Sequence, residues 1–214
     1  MARRDGSGVG GQAELLAPLG GNEVELLGVL LEPAADELAE RHHFETLGAS
    51  RGDGGCDQLA AETAPADVLR TMSATIRRVV GGTSGPLYAV MLLRAAAALD
   101  EAHEPDAKVW SKAFTAAVAG VMDLGAAQPG NRTMVDALHP AAVALDAALV
   151  KGASAIDALK ASVDAAAQGA EATAQMHPRL GRSSYVGDRA LGFADPGAHA
   201  VALWLGAIES TLRR

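Results

Sequence analysis

Apolar residues in this chain recur at intervals of three and four, and most of them are small. Within residues 66–80, the apolar positions that share one helical face are Leu69, Met72, Ile76 and Val79. No stretch alternates apolar and polar residues in the way that a half-buried strand requires. Hydrophobic residues make up 49% of the 214-residue chain but aromatic residues only 3%, so small side chains must fill the core. Because small side chains favour close contact between helices over a sheet core, the chain is predicted to be all-α.

The helical pattern is interrupted repeatedly, which divides the chain into about eight predicted helices. Two helical pieces within residues 22–47 are separated by Pro33. Six further helices are predicted over residues 66–80, 86–99, 106–124, 132–150, 154–176 and 198–212. Residues 1–20 are predicted to form a flexible N-terminal arm, and residues 21–214 one helical domain. Since glycines cluster between the helices, we expect an antiparallel bundle with its loops at the two ends.

The charge of the chain and its one cysteine limit its partners and its location. The formal net charge is −8, which argues against nucleic acid as a main partner because a phosphate backbone requires a basic surface. No apolar run approaches the roughly 20 residues of a membrane span. No apolar stretch follows the arginines near the start, as a signal peptide would require. Cys56 stands alone, so no intrachain disulfide can form, and a cytoplasmic protein is expected.

Four loops between the predicted helices contain residue types that bind phosphate. The first is Gly-Gly-Thr-Ser-Gly-Pro at residues 81–86, where glycines permit close backbone approach and a helix N-terminus follows. Another, at residues 181–185, contains Arg182, whose planar guanidinium can pair with phosphate. Composition alone is more typical of a plain connector at the first loop and of a solvated arginine at the other.

The two remaining loops also have a plain structural interpretation. Residues 125–134 would be a Pro-Gly turn in which Asn131 caps the next helix. Arg132 would then lie in a first helical turn, where the helix dipole disfavours a positive charge, and this hints at another role for it. Residues 195–198, Asp-Pro-Gly-Ala, would be a turn that starts the last helix.

Taken together, these loops resemble the DhaL family, the nucleotide-binding subunit or domain of dihydroxyacetone kinases. The resemblance covers roughly residues 40–214. It is carried by GGTSGPLY at 81–88, GAAQPGNRTMVDAL at 125–138, AEATAQM at 170–176, GRSSYVGDR at 181–189 and DPGA at 195–198. Five separated motifs in the same order are not expected by chance.

The resemblance implies a barrel of eight antiparallel helices, with ADP or ATP bound in the loops at one end. It also implies two Mg²⁺ ions between the phosphates and three aspartates, and a DhaK-like partner that holds dihydroxyacetone on a histidine. Thr83 and Ser84 would contact phosphate. The adenine and ribose would lie against Gly125 and Met134, and the rest of the nucleotide would be held by Arg182, Asp195, Pro196 and Gly197.

The expected metal loop departs from the family pattern. The family has Leu-Asp-x-x-x-Gly-Asp-Gly-Asp-His/Cys-Gly, whereas residues 47–57 read Leu-Gly-Ala-Ser-Arg-Gly-Asp-Gly-Gly-Cys-Asp. Gly48 and Gly55 therefore replace two of the three aspartates. Because Mg²⁺ requires hard oxygen ligands, the retained Asp53 and the displaced Asp57 are predicted as the metal and catalytic residues, with one ion rather than two. Alternative ligands near in sequence are His42, His43 and Glu45.

Three functions remain open on these residues. The favoured one is a phosphotransferase subunit that passes phosphoryl from ATP or a phosphocarrier protein to a small hydroxyketone on the partner. The retained nucleotide loops support it. The second is an inactive regulatory or scaffolding relative, which the losses at Gly48 and Gly55 support. The third is a repurposed relative, such as a phosphate-ester lyase or a cyclase. A homodimer is compatible with all three.

Overall fold

A computed structural model describes residues 64–100, 102 and 104–214. These residues form six α-helices and three short 3-10 helices, and they contain no β-strand. The α-helices are α1 (Pro65–Val79), α2 (Ser84–Leu99), α3 (Ala107–Gly125), α4 (Val135–Val150), α5 (Ala155–Ala172) and α6 (Pro196–Leu212). The 3-10 helices lie between α5 and α6, at Thr173–Gln175, Arg182–Tyr185 and Gly187–Ala190. The predicted all-α class is confirmed.

Short polar side chains and prolines mark where several helices begin. A side-chain oxygen just before the helix accepts a hydrogen bond from a first-turn N–H that has no partner within the helix. These pairs are Asp106 with the N–H of Val109 (2.9 Å), Ser154 with that of Asp157 (3.1 Å) and Asp195 with that of Ala198 (3.0 Å). Pro65 and Pro196 occupy first-turn positions, where no N–H is needed.

The observed helices differ from the predicted ones mainly at two boundaries. α4 begins at Val135 rather than at residue 132, because the residues before it form a separate turn. The helix predicted over 154–176 ends at Ala172 and continues as the 3-10 helix Thr173–Gln175. The predicted N-terminal arm and the two helical pieces within residues 22–47 lie outside the described residues.

Chain connections determine which loops share an end of the bundle. Each helix contacts the next one along the chain, and α6 also contacts α4. Short connections between packed helices make neighbours run antiparallel. Because the direction then alternates, the segments before α2, before α4 and before α6 lie at one end. These segments are residues 80–83, 126–134 and 173–195, and the four loops that the sequence singled out lie within them or extend from them into the adjoining helix ends.

Small side chains let the helices approach closely. The fully buried core positions include Ala96, Ala137, Ala141, Ala158 and Ala166. At one helix crossing, a Cβ atom added to Gly169 of α5 would overlap the carbonyl oxygen of Asp136 of α4. Glycine is therefore required where these two backbones meet. Despite this apolar interior, no helix in the described ranges is both long and apolar enough to cross a membrane.

Two helical glycines provide a matched test of this crossing. Gly169→Ala should destabilise the protein by about 1–3 kcal/mol, because its methyl group would push α5 away from α4. Gly206→Ala should instead be neutral or stabilise by up to about 1 kcal/mol, because the nearest atom to its Cβ would be 3.9 Å away. Urea denaturation of both variants measures the difference. Equal free energies of unfolding would contradict the close crossing.

Candidate functional site

The loop end of the bundle contains a pocket of about 400 Å³. Its walls come from the start of α2, the end of α3, the loop before α4 and the segment that follows α5. The apolar wall consists of Pro86, Leu87, Val121, Leu124, Ala127, Met134, Val135 and Leu180. Thr83 and Thr133 supply the polar side chains, and Gly125 and Gly181 complete the lining. None of these described lining residues is charged.

The N-terminus of α2 forms one edge of the pocket. Thr83 immediately precedes α2, and Ser84 is its first residue. Both are exposed, and neither hydroxyl bonds to another residue within the described ranges. A Cβ atom on Gly85 would overlap the carbonyl oxygen of Val80, so the turn into α2 is too tight for any larger residue. Free hydroxyls beside a helix N-terminus suit a negatively charged group.

The loop between α3 and α4 is built differently from the plain turn that its sequence suggests. The prediction that Asn131 caps α4 is wrong, because Met134 holds the capping position. The side chain of Asn131 accepts instead from the N–H of Gln128, at 2.9 Å, and closes the Pro-Gly turn. Arg132 follows with a φ of 61°, in the left-handed region that non-glycine residues rarely adopt.

The carboxylate of Asp136, in the first turn of α4, fixes this loop from within. Asp136 is 5% exposed and accepts hydrogen bonds from the N–H groups of Gly130 and Thr133, the second at 2.8 Å. Negative charge is also favourable at a helix N-terminus. The side chain of Asp136 therefore fixes the loop before α4, whereas α4 itself has no side-chain cap.

Arg132 joins the loop before α4 to the segment before α6. Its side chain is 3% exposed, and its guanidinium donates only to backbone carbonyls. Nε donates to Thr173 at 3.2 Å, and Nη2 donates to Ala190 and to Phe193, both at 2.8 Å. The two segments also share a hydrogen bond from the N–H of Arg179 to the carbonyl of Asn131, at 3.3 Å. Arg132 is therefore the main polar contact between these two walls of the site.

Thr173 and Asp195 continue this network towards α6. The N–H of Asp195 donates to the hydroxyl of Thr173 at 2.7 Å, and its carboxylate caps α6. Asp195 is 7% exposed. Burial raises the pKa of its carboxyl group, although hydrogen bonds from the N–H groups of Ala198 and Gly197 and the charge of Arg132 oppose that rise. The turn before α6 thus contains a buried carboxyl group that caps the helix.

The predicted nucleotide residues fall into two groups. Thr83, Gly125 and Met134 come from separate loops and line the same pocket, and Ser84 lies beside Thr83. Gly197 lies behind this wall, since a Cβ atom there would be 3.5 Å from the Cβ of Met134. Asp195 and Pro196 start α6 at the same place.

Three predicted residues are less fully described. Arg182 begins a 3-10 helix next to the pocket residue Gly181, and its side chain is outside the described atoms. Asp53 and Asp57 lie outside the described residues, so their assignment as metal ligands stays a prediction. No group of three or more acidic, histidine or cysteine side chains that could hold a metal occurs among the residues described.

Sequence reasoning missed the residues that hold the site together. The position of Arg132 in the sequence suggested a role, but its hydrogen-bond partners could not be predicted. The three acceptors are backbone carbonyls, which every residue type has. Thr173 lies in the motif AEATAQM, which received no role, and Asp136 was not singled out. Tyr88 ends the first motif; burial raises its pKa to about 12, so it stays protonated at neutral pH and cannot act as a base there.

The described helices form a bundle, and a ligand-sized pocket lies between its interhelical loops. These features place the chain in the class of all-helical binding domains. The particular family follows from comparison with known proteins. The model of the DAK2 domain family matches residues 48–210, and the chain belongs to that family. The resemblance to DhaL proteins is thereby confirmed.

Individual relatives agree with this assignment. A triokinase/FMN cyclase of Rattus norvegicus is 35% identical over 186 residues, which cover 80% of this chain and 32% of that protein. The ADP-binding subunit DhaL of the PEP-dependent dihydroxyacetone kinase of Escherichia coli is 34% identical over 134 residues, covering 63% of this chain and 64% of the subunit. The chain spans about a third of the length of the first of these relatives.

Solved structures share the fold. The native crystal structure of the dihydroxyacetone kinase of C. freundii aligns with a TM-score of 0.62 and 25% identity, over 97% of this chain and 38% of that one. The structure of that kinase in complex with AMP-PNP and Mg²⁺ also aligns with a TM-score of 0.62, at 24% identity. The helical fold is therefore similar to that of part of the C. freundii dihydroxyacetone kinase.

The raised pKa of Asp195 predicts a pH-dependent stability. The folded state binds the Asp195 proton more tightly than the unfolded chain does, so wild-type stability falls as pH rises from the ordinary value of 3.8 through the raised value. Asp195→Asn keeps an acceptor for the N–H of Ala198 but does not titrate. Denaturation between about pH 4 and 7 should show the wild type losing stability relative to this variant as pH rises.

A matched exposed substitution provides the control. Asp164→Asn on the surface of α5 removes a carboxylate that is 54% exposed and pairs with Lys160 at 2.7 Å. It should not reproduce the trend, because solvent screens the pair. Parallel pH profiles for the wild type and Asp195→Asn would show that Asp195 does not titrate abnormally.

Proposed function

We propose that this chain binds ADP or ATP together with Mg²⁺ at its loop end and acts as the nucleotide-binding part of a dihydroxyacetone-type kinase. One observation carries the proposal. Thr83 and Met134 are 51 positions apart in the sequence, yet they and Gly125 line one pocket of about 400 Å³. These are the residues that the DhaL resemblance assigns to phosphate, adenine and ribose.

The two sides of the pocket suit the two ends of a nucleotide. Leu87, Val121 and Met134 offer an apolar wall to a purine base. The start of α2 offers the free hydroxyls of Thr83 and Ser84 and its helix N-terminus to the phosphates. The volume falls within the roughly 300–1,000 Å³ that is typical of small-molecule sites.

Mg²⁺ fits the oxygen chemistry of the sequence motif that accompanies the pocket. When bound, the ion would neutralise phosphate charge and help to orient the phosphates for transfer. Asp53 and Asp57 are the residues proposed to hold it. The uncharged lining of the pocket supports a requirement for this ion, because no described lining side chain can neutralise the phosphates.

The contribution of this chain to phosphoryl transfer is positioning. The loop end binds the base and the phosphates and excludes water from them, and no nucleophile of the protein is needed. The acceptor is a small hydroxyketone, which a DhaK-like partner is proposed to present at the same end. The relative from Escherichia coli is named as an ADP-binding subunit of a PEP-dependent kinase, so a phosphocarrier protein is a second source of phosphoryl beside ATP.

A second candidate function has its own support. The relative from Rattus norvegicus is named both triokinase and FMN cyclase, and the expected metal loop has lost two aspartates at Gly48 and Gly55. A site of this kind is compatible with cyclisation of a nucleotide, or with nucleotide binding without transfer. Assays for a phosphorylated hydroxyketone and for a cyclic flavin nucleotide distinguish the two activities.

Calorimetric titration with ADP, with and without Mg²⁺, tests the metal site. Asp53→Ala should weaken Mg²⁺-dependent binding by more than about tenfold, and Asp57→Ala should weaken it as well, because each removes an anionic oxygen ligand. Asp164→Ala, which removes an exposed carboxylate from α5, is the matched control and should bind as the wild type does. Binding that ignores Mg²⁺ would favour a regulatory relative. Failure to bind any nucleotide would reject the proposal.

The hydroxyls before α2 provide a separate test of the phosphate end. Thr83→Ala should weaken ADP binding by about 1.5–3 kcal/mol, the range for a hydrogen bond to a charged group. Its thermal stability should not change, since this hydroxyl bonds to no other described residue. Thr211→Ala, near the end of α6, removes a hydroxyl that bonds to the carbonyl of Ala207 at 2.9 Å and should leave ADP affinity intact. Unchanged affinity in Thr83→Ala would place the phosphates elsewhere.

A further inference from the structure

Both the side chain and the backbone of Arg132 are in energetically unfavourable states. The guanidinium is almost fully buried, and the backbone that carries it has a φ of 61°. Neither feature is favourable alone: a buried charge loses its hydration, and left-handed backbone strains a residue with a Cβ atom. Such strain persists where the surrounding contacts over-determine it, and it concentrates at ligand clamps and active sites.

The contacts of Arg132 show what this arrangement achieves. All three hydrogen bonds run to carbonyls of the segment between α5 and α6, at Thr173, Ala190 and Phe193. These three acceptors are all backbone carbonyls, and they span 21 positions of that segment. One rigid, planar donor therefore fixes both ends of an irregular stretch that otherwise has only short 3-10 helices.

The segments joined by Arg132 each contribute to the proposed nucleotide site. Met134, two residues after Arg132, lines the pocket, and Leu180 and Gly181 line it from the other segment. Arg182 follows directly in that second segment. A displacement between the two segments would thus change the width of the pocket and the position of the Arg182 backbone.

We propose that Arg132 is a positioning residue for nucleotide binding, which holds the Arg182-bearing wall of the pocket in register with the wall formed by the loop before α4. The assignment rests on the proposed function and goes beyond it, because Arg132 is not among the residues that line the pocket. Its charge also lies near the buried carboxylate of Asp195, which it stabilises. Arg132 therefore acts through other residues rather than on the nucleotide itself.

Two substitutions of Arg132 separate the effect of its side chain from the effect of its backbone conformation. Arg132→Gly removes every side-chain hydrogen bond but suits the left-handed backbone. Arg132→Lys keeps the charge but replaces the planar fork with a single ammonium group. ADP affinity, measured by calorimetry in the presence of Mg²⁺, should fall by roughly tenfold to a hundredfold in Arg132→Gly and less in Arg132→Lys.

Hydrogen exchange locates the change independently of nucleotide. The N–H of Gly192 bonds to the carbonyl of Ala174 at 2.8 Å, and that of Arg179 bonds to Asn131. Both amides should lose protection in the Arg132 variants without ligand, while the amides of α2 and α3 keep theirs. Loss of protection throughout the helices would mean that Arg132 serves only general stability, and it would overturn the assignment.

Matched controls complete the experiment. Leu99→Ala truncates a side chain that is 1% exposed at the far end of α2, so it lowers stability without touching the loops. Arg94→Met removes an exposed positive charge from α2. At temperatures where every variant is folded, both controls should bind ADP as the wild type does.

The outcomes distinguish this assignment from the proposed function. Wild-type ADP affinity in both Arg132 variants would overturn the positioning role and leave the proposed function standing. The assignment would also be overturned if Leu99→Ala lost as much ADP affinity as the Arg132 variants do at an equal loss of thermal stability. If the wild-type chain binds no ADP in the presence of Mg²⁺, the proposed function and this assignment both fail.

Discussion

Close contact between helix backbones is the constraint on which the rest of this structure depends. Alanine and glycine at the crossings let α4 and α5 meet where Gly169 faces the carbonyl of Asp136. The core is consequently thin, and most of its side chains are too small to form a binding wall by themselves. The pocket lies at the loop end, where larger residues such as Leu87 and Met134 form part of its lining.

The irregular loops of that end are held by buried polar groups in addition to hydrophobic contacts. Asp136 receives two backbone N–H groups of its own loop, and Arg132 gives its hydrogen bonds to three carbonyls of another. Buried polar groups of this kind are stabilising only while all of their partners are present. The loop end is therefore expected to rearrange as a unit, because the loss of one partner leaves others unsatisfied.

The sequence predicted the regular part of the fold well and the polar part poorly. Apolar spacing located α1 to within a residue, because one face of this helix meets the core, and the predicted bounds of α3 were equally close. The turn before α6 was also foreseen, since Asp195 and Pro196 are strong helix-start signals. The capping role given to Asn131 failed, because the left-handed backbone at Arg132 interrupts the helix and nothing in the residue type announces it.

The electrostatics of the pocket make the expected metal loop important for the neutralisation of a bound nucleotide. A nucleotide brings several negative charges to a chain whose own net charge is −8, and the described pocket lining has no cation. The helix N-terminus at Thr83 offsets only a fraction of that charge, about half an elementary charge. Arg132 is nearby, but its side chain is 3% exposed, donates to three backbone carbonyls and does not line the pocket. We propose that the balance comes from Mg²⁺, held by the retained Asp53 and the displaced Asp57, and from Arg182.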